Sequence, residues 1–206
     1  MRRTPELTIS TRSSEYRKVL RDPAGAEPML PSIDQPRRLH IGGHDAKDGW
    51  EVFDAIAADH VQHLGNASNL GRFPDGTFAE LYASHVLEHF DFKDEVERVL
   101  REWHRVLVPG GTFYVSVPDM ERLCHLYLTP KLAMSERLKL LEMFFGDHIN
   151  EFAYHLAGFD EAILADHLRR AGFHSIRRVH SFGLFEDSSE MQVFGMPVSL
   201  NLIAQK

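Results

Sequence analysis

Histidine and glutamate crowd together at Ser84-His85-Val86-Leu87-Glu88-His89-Phe90. His85, Glu88 and His89 spell H-x-x-E-H, the order of inverted zinc peptidases, in which two imidazoles share a metal and the glutamate activates water. That chemistry needs the motif inside a longer helix and a further ligand from another element. Here the motif follows directly on an apolar run that reads as a strand. Thirteen histidines in 206 residues also make a chance match easy. Zinc hydrolysis through His85, Glu88 and His89 is therefore a minor alternative, and no metal site is expected. His89 is read instead as a general base, because imidazole is the side chain whose ordinary pKa lies nearest neutrality. Glu88 is a second proton acceptor beside it, and packing under Phe90 is the competing role for His89.

Three other places carry residues suited to ligand binding. Gly42-Gly43-His44-Asp45 follows a short apolar run, where glycine lets backbone approach a ligand and offers it amide groups. Asp54 follows a second run, at a position where a carboxylate can accept hydrogen bonds from ribose hydroxyls. Asn66-Ala67 follows a third, with an amide able to meet an adenine edge or simply to cap the next turn. Further along, Phe144 to His155 mixes aromatic and titratable groups around Gly146. This segment is read as a cover bringing His148, Tyr154 and His155 to a substrate. The competing reading is a plain helix, 131–145, with Leu132, Leu138, Leu141 and Phe145 facing the core.

What must position these residues is an α/β domain. Strands are expected at 39–42, 52–53, 61–65, 78–84, 112–117, 176–182 and 198–204, alternating with helical periodicity. Val96, Val99, Leu100, Trp103, Val106 and Leu107 recur at three- and four-residue steps, with Glu97 and Arg101 paired on the other side, which predicts a crossover helix ending at Pro109-Gly110-Gly111. A second helix is predicted from Asp160 to Ala171, closed by Gly172. In such a sheet, ligands sit beyond the carboxyl ends of the strands, which is where the residues singled out above fall.

Composition narrows the partners. The chain is 43% apolar with a net charge of −7, so no global basic field favours nucleic acid or an anionic membrane. Cys124 is the only cysteine, which excludes an internal disulfide framework and fits a reducing, cytoplasmic setting. No run approaches the roughly 18 to 20 apolar residues of a membrane span, and no signal-type apolar block opens the chain. Residues 1–37 hold five of the ten prolines and too few apolar residues to cover a core, so an extended or partly ordered arm is expected before a domain at 38–206.

Taken together, Leu39-His40-Ile41-Gly42-Gly43, Tyr82-Ala83-Ser84-His85-Val86-Leu87-Glu88-His89-Phe90, Glu102-Trp103-His104-Arg105-Val106-Leu107-Val108-Pro109-Gly110-Gly111 and Val117-Pro118-Asp119 resemble the class I S-adenosylmethionine-dependent methyltransferases, closest to a compact bacterial branch of type 11. The resemblance extends from about Arg38 to Lys206, through Ser181-Phe182-Gly183-Leu184-Phe185 and Ser199-Leu200-Asn201. It implies a Rossmann-like, seven-stranded mixed sheet with helices on both faces and the last strand antiparallel between its neighbours, and a substrate cover at about 119–158. It also implies S-adenosylmethionine as cofactor, S-adenosylhomocysteine as product and a small-molecule acceptor methylated on oxygen or nitrogen. By position, Gly42, Gly43 and His44 would meet the methionine part, Asp54 the ribose, Asn66 and Ala67 the adenine, and Ser84 with His85 the floor beside the sulfonium. His89, Tyr154 and His155 would serve the acceptor. The chain departs from the family at His44, where a second glycine is usual, at Asn66, where aspartate is usual, and at Ala79, which replaces an aspartate entering the fourth strand. These departures raise the alternative of a methyltransferase fold that binds a partner without catalysis.

Overall fold

The computed structural model describes residues 36–206; the expected arm, apart from Pro36 and Arg37, lies outside the described residues. A seven-stranded sheet is built from β1 (Arg38–Ile41), β2 (Glu51–Asp54), β3 (His63–Leu64), β4 (Phe78–Ser84), β5 (Leu107–Pro118), β6 (His174–Val179) and β9 (Ser199–Gln205). Its order is β3-β2-β1-β4-β5-β9-β6. The first five strands are parallel, and β9 runs antiparallel between β5 and β6. This is the mixed topology expected, with its switch point between β1 and β4. The short hairpin β7 (Gln192–Val193) and β8 (Met196–Pro197) pairs on its own.

One face of the sheet is covered by helices α1 (Val96–Val106) and α4 (Glu161–Ala171). Helix α1 forms because Val96, Val99, Leu100, Trp103 and Val106 make a single stripe, every member fully buried, against Leu81, Ala83, Phe113 and Val115. Leu107 already pairs with Phe78, so the helix ends three residues before the predicted Pro-Gly-Gly stop. Residues 108–111 bulge out of β5, with Gly110 at φ +76° and Gly111 and Lys206 tied by a backbone bond, before Thr112 pairs with Glu80. Helix α4 starts on the Asp160 side chain, which accepts from the Ile163 amide at 2.8 Å, and stops at Gly172 in the left-handed region.

The other face is aromatic and polar. His40, Tyr82 and Tyr114 lie side by side across β1, β4 and β5, and Phe182, Phe185 and Trp50 cover them. One register step on, Ser84, Ser116 and Asn201 form a buried polar row across β4, β5 and β9.

Helices α2 (Met120–Tyr127) and α3 (Met134–Phe145) follow β5 and form a smaller core with Val193 and Val198. The face of α3 differs from expectation: Leu140 is buried, while Leu138, Leu141 and Phe145 are exposed and Leu132 is only partly covered. The segment Leu-Lys-Leu-Leu-Glu-Met-Phe-Phe is apolar nearly all round, so its sequence does not specify which side turns inward.

Candidate functional site

The loops leaving β1, β2, β3 and β4 open onto one cleft of about 660 Å³, within the usual range for a small-molecule or cofactor site. Its lining includes Gly42, His44, Asp54, Asn66, Ala67, His85, Val86 and His89 from the strand ends, Met143 from α3, and Gly146, Ala153 and His155 from the segment after α3. A second cavity of about 540 Å³ shares Gly42, His44 and Ser188 with it and adds His40, Lys47, Ser84, Phe185 and Asp187.

At the end of β1 the backbone turns through Gly42 at φ +72°, and a Cβ there would sit 2.4 Å from a Val86 methyl. Glycine is therefore required twice over, by backbone conformation and by the close pass of the turn after β4. Gly43 is closed in differently: its Cβ would fall 2.8 Å from the His40 ring. His44 lies outside the left-handed region. Of Gly42, Gly43 and His44, only Gly42 takes a positive φ, which is how the turn accommodates a histidine where a second glycine is usual.

Asp54 closes β2, and one carboxylate oxygen accepts from the Ile56 amide at 2.6 Å. The Asn66 side-chain oxygen accepts from the Ser68 amide at 2.8 Å, which fixes an Asx turn. That leaves the Asn66 NH₂ as the group it can present to a ligand. Ala67 is held in place through its carbonyl, which accepts from the Trp103 indole at 2.8 Å.

The turn after β4 is the most unusual part of the site. His85 takes φ +54°, and Leu87–His89 form a single 3₁₀ turn. His85 and His89 are therefore not neighbours on one α-helical face, and the spacing argument for a zinc peptidase does not apply. The His85 Nε2 bonds the Ser199 hydroxyl at 2.9 Å, and its Nδ1 lies 3.4 Å from the Glu88 carboxylate. Burial, with His155 nearby, brings the His85 pKa down to about 4. Glu88 is buried, and neither of its carboxylate oxygens has a hydrogen-bond partner. Burial pushes its pKa up to about 8.

The cover segment docks on this turn through backbone bonds. The Leu156 and Ala157 amides both donate to the Glu88 carbonyl, and the His155 amide donates to the Phe145 carbonyl. Gly146 at φ +84° makes the return possible, since a Cβ there would collide with the Ala153 carbonyl. His155 is thereby set beside His89, ring centres 5.0 Å apart. Burial, reinforced by His89, lowers its pKa to about 4. The Tyr154 ring does not line the cleft. It stacks on His148 at 4.0 Å and is half exposed, while its carbonyl bonds His89 Nδ1.

Several contributors had no role assigned from the sequence. Asp119, quoted there only within Val117-Pro118-Asp119, is buried, caps α2 through the Arg122 amide and pairs with Arg178 at 2.6 Å, so it ties β5, α2 and β6 together. Asp187 and Ser189 bond the Tyr82 hydroxyl, and Asp187 lines the second cavity. No spacing rule links Tyr82 to a loop more than a hundred residues away, so no local signal could have found them.

Residues 46–115 match a family model described as a methyltransferase domain, of type 11. An S-adenosylmethionine-dependent methyltransferase of Archaeoglobus fulgidus is similar in structure at TM-score 0.54 and 14% identity, covering 84% of this chain and 87% of that one. One from Methanosarcina mazei is similar at TM-score 0.52 and 21% identity, covering 84% and 92%. A possible histamine N-methyltransferase of Thermotoga maritima is similar at TM-score 0.50 and 20% identity, covering 86% and 84%. The chain has the class I S-adenosylmethionine-dependent methyltransferase fold. No curated protein sequence matches it significantly. Within the methyltransferase fold, the cleft described above lies at the carboxyl ends of the parallel strands, across the switch point. None of the described helices is long and apolar enough to cross a membrane.

Proposed function

We propose that the protein is an S-adenosylmethionine-dependent methyltransferase that methylates an oxygen or nitrogen of a small molecule. One observation carries the reading: the ends of β1, β2, β3 and β4 converge on a single cleft that also holds a close histidine pair, His89 from the turn after β4 and His155 from the cover segment. S-adenosylmethionine supplies an electrophilic methyl group when bound. The residues at the strand ends fit it: Gly42 and Gly43 leave the turn without side chains, one Asp54 oxygen remains free for ribose hydroxyls, and the Asn66 NH₂ remains free for adenine. The buried Ser84 hydroxyl, without a hydrogen bond of its own, lines the adjoining second cavity rather than this cleft.

The chain's part in the reaction is to align the acceptor and manage its proton. Alignment in such in-line displacements lowers the barrier by several kcal/mol, about 7 to 11 in favourable cases. His89 and His155 each tie Nδ1 to a backbone carbonyl, at 3.0 and 3.1 Å. The proton therefore sits on Nδ1 and each Nε2 keeps its lone pair; that of His89 is placed to accept a proton from an acceptor hydroxyl or ammonium, while the partly buried His155 beside it stays neutral. Tyr154 is assigned a supporting role, since it reaches His89 only through its backbone. The absence of a basic field suits a small acceptor over nucleic acid, and a cytoplasmic setting suits the single free cysteine.

The test is calorimetric titration of the purified chain with S-adenosylmethionine and S-adenosylhomocysteine, beside Asp54→Ala. Micromolar binding weakened at least tenfold by the substitution is expected. A folded protein that binds neither ligand would leave the fold without the chemistry.

A further inference from the structure

The turn after β4 and the cover segment packed on it hold more than a base pair. One donor atom from each of Glu88, His89 and His155 lies within 4.8 Å of the other two. Both imidazoles are held by the same device, an Nδ1–H donated to a backbone carbonyl: Tyr154 for His89, Met143 for His155. Backbone or carboxylate acceptors on the second ring nitrogen are what fix tautomer and orientation in histidine metal ligands. The third member, Glu88, is 1% exposed, and both its oxygens lack hydrogen bonds. A carboxylate so placed is costly unless it is paired or bound to a cation.

We infer that Glu88, His89 and His155 form a binding site for a divalent transition-metal ion, with two imidazoles and one carboxylate as protein ligands. Two nitrogens in three donors select zinc, iron, cobalt or nickel over magnesium or calcium. Three protein ligands leave further coordination positions open, as in catalytic sites and unlike closed structural ones. His89 and His155 both line the cleft, so those positions face it. The set is not the H-x-x-E-H triplet: His85 is engaged by Ser199 and stands next to the Glu88 carboxylate, while the second imidazole comes from the cover segment. Bonds of about 2.0 to 2.1 Å place tetrahedral ligands about 3.3 Å apart, so loading would draw these side chains together by up to about 1.5 Å. That contraction would pull the cover segment, which carries His155, onto the turn that carries Glu88 and His89.

The site stands on its own geometry; only its use rests on the methyltransferase reading. A metal at this position would lower the pKa of an acceptor hydroxyl brought to its open side, replacing the lone-pair bases with a Lewis acid.

The experiment uses the full chain without an affinity tag, stripped with a chelator, dialysed and titrated with Co²⁺ and with Zn²⁺. One equivalent per chain, visible ligand-field bands for Co²⁺, and a loss of affinity of about 100-fold or more in both His155→Ala and Glu88→Gln are expected, since losing even an outer partner costs about 10 to 100-fold. His85→Ala should cost less than either. Circular dichroism identifies any variant that fails to fold, and His155→Gln then replaces His155→Ala. Absent stoichiometric uptake, or uptake unchanged in both variants, would overturn the site. Titrating the stripped protein with S-adenosylhomocysteine keeps the two readings apart. Binding of that ligand without metal uptake removes the metal site and leaves the methyltransferase, and metal uptake without it does the reverse.

Discussion

The two faces of the sheet treat polar atoms in opposite ways. Under α1 and α4 the packing is apolar and dense: Trp103, Phe113, Leu81 and Leu168 are fully buried, and the Trp103 indole finds the Ala67 carbonyl. On the other face and at the strand ends, buried polar atoms of His40, Ser84, Ser116, Glu88 and Asn201 have no partner, whereas on the helical side His167 is the exception. Unpaired buried groups cost about 1 to 3 kcal/mol each. A fold carries such costs where a ligand or ordered water completes the set, and the densely packed half supplies the stability that allows it. The comparison teaches a division of labour: one face holds the chain together, the other holds atoms in reserve.

The sharpest way to break that division is Trp103→Ala. It should cost about 3 to 5 kcal/mol, seen as a large drop in denaturation midpoint, and should loosen Ala67 as well. Trp103→Phe, which keeps most of the packing and loses the indole donor, should separate the two effects. Next in size is Gly42→Ala, which forces a side chain into the left-handed region and against Val86. It should cost about 1 to 3 kcal/mol and weaken S-adenosylhomocysteine binding together with stability. Asp54→Ala sharpens the contrast from the other side. With Asp54 only partly buried and bonded to one nearby amide, stability should move by about 0.5 kcal/mol or less, while cofactor affinity falls at least tenfold. Equal losses of stability and affinity in Asp54→Ala would refute the division.

How much of this was legible in the sequence follows the same line. Strand β4 and helix α1 could be read because each presents one coherent apolar set, Leu81 and Ala83 against Val99 and Trp103. Gly42, Asp54 and Asn66 were legible as strand-end residues because a parallel sheet brings its carboxyl ends together, and they share the cleft, whereas Gly43 packs against the His40 ring and does not line it. What escaped depends on contacts remote in sequence or on backbone detail. Strand β3 shrank to His63–Leu64 because an edge strand needs only one partner. The H-x-x-E-H spacing suggested a helical turn, but His85 at φ +54° breaks it, and His155 from the cover segment, not His85, joins Glu88 and His89 in one donor cluster. Ser199 and Asn201 stood out only as part of the resemblance, and nothing local indicated that they bond the loop that lines the second cavity.

The smallest effect expected lies at the sheet's other end, where a polar cluster is fully paired. Glu51 on β2 takes both guanidinium contacts of Arg37, at 2.7 and 2.8 Å, and a His63 nitrogen at 2.7 Å. Burial alone would push its carboxyl up, but Arg37 and His63 outweigh burial and bring its pKa down to about 2. A carboxyl depressed in the folded state stabilises the protein above its unfolded pKa of about 4.3. That contribution should fade as pH falls from there toward 2. Partial exposure and screening keep the pair at about 1 kcal/mol or less. Denaturation of the wild type between pH 6 and pH 2 should therefore show a slope that Glu51→Gln flattens, with cofactor affinity at neutral pH unchanged. A change in that affinity would mean that the paired end and the unpaired end are coupled through β1 and β2.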